Sequence, residues 1–135
     1  KLLLGRIKGE YMKITCGTDI IEIDRVRKAI EENQEEFLNR VFTQKEIEYC
    51  QSRKNAKYQH YAARFASKEA IFKAIASAFE NKYILTWKDA EAVNDENGKP
   101  HVNFLNNKPK ELEAIDISIS HCKDYAVAYV IAAWK

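Results

Sequence analysis

Two carboxylates stand out by their surroundings. Glu69 falls on a stripe of otherwise apolar residues, Tyr58, Tyr61, Ala62, Phe65, Phe72, Ala76 and Phe79, which recur at helical spacing between Lys57 and Phe79. A lone carboxylate on a buried stripe either neutralises or finds a cation. Lys73 lies four residues on, in the orientation that favours an ion pair. The pair therefore reads in two ways. One is a salt bridge at the edge of a core, the commoner outcome for this spacing. The other is a metal-ligating Glu with an ammonium one turn away, ready for a phosphate. Asp19 is equally double. Asp19-Ile20-Ile21-Glu22 is a capping-box pattern, yet a junction between strand and helix is also where a side chain reaches a cleft. Arg64 and Lys68, one turn apart on the flank of the stripe, form either a solvated face or a phosphate site. His121 ends a segment whose polar face carries Ser118 and Ser120. A solitary His at a strand end is usually structural, and Cys122 beside it makes a poor nucleophile pair, because catalytic partners are usually distant in sequence.

These residues need elements to hold them. Lys13 to Thr18 alternates and reads as a strand, after which Asp19 opens a helix carrying Ile23, Val26 and Ile30. Phe37 to Phe42 reads as a short helical turn. Thr43 and Glu46 form a second capping-box pattern, opening a helix to about Ser52. The long helix spans Lys57 to Phe79. Ile84 to Val93 reads as a strand with an irregularity near Lys88 and Asp89. Asn97-Gly98 marks the turn to a return strand with Val102 and Phe104. Ile115, Ile117 and Ile119 alternate with polar residues as a half-buried strand. Tyr125 to Trp134 is almost wholly apolar and reads as a central strand buried on both faces. Helices first and strands later predict an α+β domain, with helices packed on an antiparallel sheet.

The totals bound the function. With 135 residues the chain has room for one cored domain. Residues 12–135 read as that domain and 1–11 as an N-terminal extension. No apolar run approaches the ~20 residues of a membrane helix. A net charge of +2 gives no global argument for nucleic acid or an anionic membrane. Three widely spaced cysteines, Cys16, Cys50 and Cys122, fit neither a disulfide framework nor a zinc knuckle, and point to a reducing, cytoplasmic setting. The charge is patchy, with Glu31, Glu32, Glu35 and Glu36 against Arg53, Lys54 and Lys57.

Taken in order, five segments form a set: Gly17-Thr18-Asp19-Ile20-Ile21-Glu22; Arg40-Val41-Phe42-Thr43 with Glu46; Arg64-Phe65-Ala66-Ser67-Lys68-Glu69-Ala70 with Lys73; Asn97-Gly98-Lys99-Pro100; and Ser118-Ile119-Ser120-His121. This set resembles the holo-[acyl-carrier-protein] synthase family of 4′-phosphopantetheinyl transferases, from about Met12 to the C-terminus. The resemblance implies transfer of 4′-phosphopantetheine from coenzyme A to a serine of apo acyl carrier protein, with Mg²⁺ and release of 3′,5′-ADP. It implies Asp19 and Glu69 as metal ligands, and Glu69 and Lys73 as catalytic groups. Arg64, Lys68, Gly98, Lys99, Pro100 and His121 are implied as coenzyme A contacts, and Arg25 as a carrier-docking residue. It further implies a cytoplasmic homotrimer serving fatty acid or other lipid synthesis, with the site between subunits. Two departures stand against the family pattern. The segment Ser77 to Tyr83 contains no glycine where a Gly-rich turn is usual, and the four-glutamate cluster follows Arg25, Arg27 and Lys28, where an acidic carrier would be repelled. The alternatives are a coenzyme A-binding module without turnover and a metal-dependent hydrolase of coenzyme A.

Overall fold

The computed structural model describes residues 12–80 and 85–135. The N-terminal extension, residues 81–83 of the glycine-poor turn and residue 84 lie outside the described residues. The elements run β1 (Lys13–Glu22), α1 (Ile23–Val41), α2 (Gln44–Ser52), a 3-10 turn at Lys54–Ala56, α3 (Lys57–Ala76), β2 (Ala90–Asn94), β3 (Pro100–Phe104), β4 (Leu112–His121) and β5 (Tyr125–Trp134). The class is α+β, as the order of periodicities predicts. The strands divide into an antiparallel sheet of order β1-β5-β4 and a separate β2-β3 hairpin.

β1 is longer than the alternation predicts, and the capping box at Asp19 does not form. The strand pairs with β5 from Lys13↔Trp134 through Asp19↔Ala128 to Glu22↔Tyr125. That ladder satisfies the backbone of residues 19–22, so extension wins over a local cap. α1 opens at Ile23, whose amide donates to Asp124 O at 2.9 Å, and Glu22 at the cap position makes no side-chain cap bond. α1 is broken at Gln34, whose φ of 43° and ψ of −124° lie outside helical space. The segment after the break contains the predicted turn at Phe37. Thr43 and Glu46 do form their capping box in full.

α3 is the hub. It contacts β1, β5, α1 and α2. Ala66, Ala70, Ile71, Ala74 and Ile75 pack against the sheet, while Tyr61, Ala62 and Ala63 face α1 and α2. The helix is therefore buried on two sides, and the single stripe predicted for it is too narrow; Ala76, at its end, is exposed. Small residues let β1 come very close. A Cβ on Gly17 would stand 2.2 Å from Ala70 O and 2.7 Å from Ala74 N, which no side chain can occupy.

Two strand predictions need correction. Among the described residues, the strand predicted from Ile84 begins at Ala90. Before it Asp89 accepts from Thr86 N at 2.8 Å and its carbonyl from Leu105 N at 2.7 Å, so the chain turns there instead of pairing. β5 is central, as predicted, but it alternates. Ala126, Ala128, Val130, Ala132 and Trp134 are buried, whereas Tyr125 and Tyr129 are 45% exposed and Ile131 37%. Among the described residues, Ile14, Ile20, Tyr125, Tyr129 and Ile131 leave the reverse face of the sheet exposed.

Candidate active site

Gly17 brings β1 onto α3, and two residues later Asp19 faces the same helix. Lys73 Nζ reaches across to Thr18 O at 2.8 Å and to Asp19 Oδ1 at 3.3 Å. Among the described residues Lys73 pairs with Asp19; no ion pair joins it to Glu69, so the i,i+4 salt bridge considered for Glu69 is not the arrangement here. Asp19 and Glu69 instead share the wall of a cleft of about 340 Å³ with Arg25, Val26, Phe37 and Phe65. Burial pushes the Glu69 carboxyl up from its ordinary range, Asp19's charge adds to that, and Lys73 offsets part of it. The cleft thus holds two carboxylates that repel each other, with Arg25 on the same wall and Lys73 on Asp19. No group of three or more His, Cys, Asp or Glu gathers as a metal cage among the described residues. Two carboxylates suffice for Mg²⁺, which keeps several waters and takes the rest of its ligands from substrate phosphates.

Arg25 lines this cleft, while its neighbours are committed elsewhere on α1: Arg27 to Asp24 and Glu31, and Lys28 to Asp24 at 3.3 Å. One of the four clustered glutamates is thereby neutralised in place.

Lys68 departs most from expectation. It is 1% exposed, and its Nζ donates to Trp87 O at 2.7 Å and Ala90 O at 2.8 Å and pairs with Glu46 at 2.8 Å. An ammonium has three donors, and all are used inside the protein. Lys68 presents nothing to a ligand. Burial lowers its pKa, and Glu46 opposes that shift. Glu46 in turn accepts from Thr43 N and Ala92 N. Glu91 accepts from Thr43 Oγ1 at 2.5 Å and Asn103 at 2.9 Å. This network clamps the β2-β3 hairpin to α2 and α3.

Arg64, one turn earlier, is also buried, at 3% exposure, rather than on a solvated face. Its guanidinium lies 4.3 Å from the centre of the Tyr49 ring, and its buried Nε has no hydrogen-bond partner. It lines a second cleft of about 340 Å³ with Tyr49, Val93, Asn94 and Asp95. At the far end of that hairpin, Asp95 accepts from the amides of Asn97 and Lys99, Gly98 takes φ +82°, and Lys99 pairs with Asp116 at 3.2 Å. Gly98, Lys99 and Pro100 therefore form the hairpin's rim. His121, at the exposed end of β4, contacts the ring of His60 with centroids 5.9 Å apart. Cys122 follows it, also exposed.

The sequence reading missed Tyr49, His60 and Glu46 as parts of these sites. His60 lies one helical turn before Arg64, so its position on that face was open to inference. Tyr49 and His121 join it only through the packing of α2 and β4.

The model of the 4′-phosphopantetheinyl transferase superfamily matches residues 15–130. The chain belongs to that superfamily. Among the superfamily's curated members, the holo-[acyl-carrier-protein] synthase of Ruminiclostridium cellulolyticum is 46% identical over 126 residues, covering 89% of this chain and 92% of the relative. That of Protochlamydia amoebophila is 44% identical, covering 89% and 98%. Solved transferases share the fold. A holo-(acyl-carrier-protein) synthase from Bacillus anthracis, in complex with CoA (3′,5′-ADP), superposes with TM-score 0.75 at 30% identity over 93% of this chain and all of that one. The holo-ACP synthase of Plasmodium yoelii gives TM-score 0.76 at 28% identity over 93% and 99%.

Proposed function

We propose that the chain transfers 4′-phosphopantetheine from coenzyme A to a serine of an apo acyl carrier protein and releases 3′,5′-ADP. The observation that carries this reading is the meeting of Asp19 and Glu69 at one cleft, with Lys73 held on Asp19, in a member of this superfamily. Asp19 and Glu69 would hold Mg²⁺, which when bound neutralises pyrophosphate charge. Their shared cleft, and the like-charge repulsion that helps raise the Glu69 carboxyl, support that fit.

The serine oxygen forms a bond to the β-phosphorus, and the bond from that phosphorus to the bridging oxygen breaks. Glu69 is the candidate base for the serine proton. Lys73, with 55% of its side chain exposed and its ammonium on Asp19, is free to turn toward the leaving phosphate and hold its developing charge. Arg64 and His121 would bind coenzyme A phosphates, and the rim at Gly98, Lys99 and Pro100 its nucleotide end. Arg25 would meet the acidic carrier beside the cleft. Lys68 is not among the ligand contacts; it fixes the hairpin that carries Gly98, Lys99 and Pro100.

The assembly read here is a homotrimer. Ile14, Ile20, Tyr125, Tyr129 and Ile131 leave an apolar, uncovered sheet face, with a groove lined by Ile14, Ile115, Ile131 and Ala133, and such a face calls for a partner. The reaction belongs to acyl-carrier metabolism of lipid synthesis in the cytoplasm, a setting that suits the free thiols of Cys16, Cys50 and Cys122.

Intact-mass spectrometry tests the proposal. Apo carrier with coenzyme A, Mg²⁺ and this enzyme gains one phosphopantetheine. An unchanged carrier mass, with a control transferase active on the same carrier, would sink it. Release of 3′,5′-ADP without carrier would mark a hydrolase instead.

A further inference from the structure

Around Tyr49 the fold gathers four groups that are or can become cations. Arg64 lies 4.3 Å and Arg53 5.8 Å from the Tyr49 ring centre. His60 meets the same ring edge-on at 5.3 Å, and His121 meets His60 at 5.9 Å. Among the described residues none of the four has an ion-pair partner, and Arg64 keeps a buried unpartnered Nε. The groups facing His60 are Tyr49 from α2, Arg53 just after that helix, Arg64 from its own helix and His121 from β4. Two carboxylates border Arg64's cleft, but Glu46 is bound to Lys68 and Asp95 to His101. Cations assembled without a counter-charge are a receptor for an anion. Resting on the coenzyme A reading above, that anion is a phosphate of the nucleotide.

We infer that His60 is a further coenzyme A-binding residue, and that it takes up a proton from solvent as the coenzyme A phosphate binds beside it, so that substrate affinity depends on pH through His60. In the free protein, burial first, and then the charges of Arg64 and Arg53, push its imidazole down to about 4. It is therefore neutral near pH 7. A phosphate among these groups reverses the balance, because an adjacent opposite charge favours the protonated form. Neutral His60 keeps the empty cluster from carrying one more positive charge, and protonated His60 adds one more donor to the bound phosphate.

Calorimetric titration of coenzyme A into the full chain tests this at pH 6.5, in two buffers of different ionisation enthalpy. Wild type is expected to take up up to ~1 proton more per coenzyme A bound than His60→Phe. Its affinity is expected to tighten toward low pH by roughly tenfold more than the variant's. His60→Lys, with a permanent charge, restores tight binding with a flatter pH dependence. Equal proton counts and parallel pH curves for wild type and His60→Phe overturn the inference. If His60→Phe does not fold, the imidazole carbon resonance of His60 in the wild type decides: movement to the protonated position on adding coenzyme A supports it, and no movement overturns it. Failure of wild type to bind coenzyme A at all would instead remove the transfer proposal itself. Carrier modification with a pH-insensitive affinity removes only the role of His60.

Discussion

Asp19 sits in a strand, and this separates two consequences of changing it. A helix cap lost to alanine costs about 1 kcal/mol. Asp19 caps nothing, so Asp19→Ala is expected to leave the urea midpoint nearly unchanged while transfer falls by roughly two orders of magnitude or more; carrier mass against time measures the second. A variant with normal turnover would return Asp19 to a merely structural part. Glu69→Gln removes the like charge beside Asp19 and is expected to lose turnover without losing stability. His60 makes its own prediction. Its folded pKa of about 4 lies below its ordinary 6.5, so between those values the unfolded chain binds more protons than the folded one. Stability is lost as pH falls through that window. The thermal midpoint of wild type should therefore drop more steeply from pH 6.5 to 4.5 than that of His60→Phe. Residue types made Asp19 and Glu69 suspicious in the sequence, and the ordered motifs chose between their two readings. Lys68 was misread because spacing along one helix says which residues share a face, not whether another element covers that face.

At the scale of elements, two contacts set the site. The first is the backbone approach of β1 to α3 at Gly17. Gly17→Ala forces β1 off the helix, at a cost of about 1–3 kcal/mol, and parts Asp19 from Lys73. Denaturant midpoint and turnover should fall together. The second is the clamp of Lys68 on Glu46. Lys68→Met leaves a buried carboxylate without its cation, and loss of one partner of such a pair costs about 3–5 kcal/mol. Adding Glu46→Gln, which keeps an acceptor for Thr43 N, should recover part of that loss in urea titrations. Periodicity and the Thr43–Glu46 box were enough to find the helices, and Asn97-Gly98 the hairpin turn. Periodicity could not place the end of β1, because residues 19–22 suit a cap as well as a strand, and only the β5 ladder decides. The strand predicted from Ile84 failed for a related reason. Asp89 turns the chain through bonds to Thr86 and Leu105, and the latter partner is distant in sequence.

For the whole molecule, the open side of the sheet is the main unresolved demand of the single chain. Tyr129 and Ile131 lie at its middle, and a carboxylate at either would be buried in any assembly through that face. If the proposed trimer forms through this face, Tyr129→Glu shifts light scattering from the trimer to the monomer mass, with transfer falling in parallel. A trimer with Tyr129→Glu would show that assembly uses another surface. The class of the fold was legible because helical and alternating patterns segregate along the chain. The uncovered face was not legible, because the near-continuous apolar run of β5 resembles a strand buried on both sides. Its outward residues are tyrosines and an isoleucine that look no different in sequence from core.

The place of β5 at the centre of the sheet also governs how the molecule forms. Both β1 and β4 hydrogen-bond to it and not to each other. Trp134 on β5 donates to Thr15 on β1, 119 positions away. The helices can gather early through local contacts, but the sheet must wait for its central strand, and closing so long a loop is slow. Asp19 completes its pairing only when that strand docks, so the candidate cleft is expected to be among the last parts of the protein to be assembled.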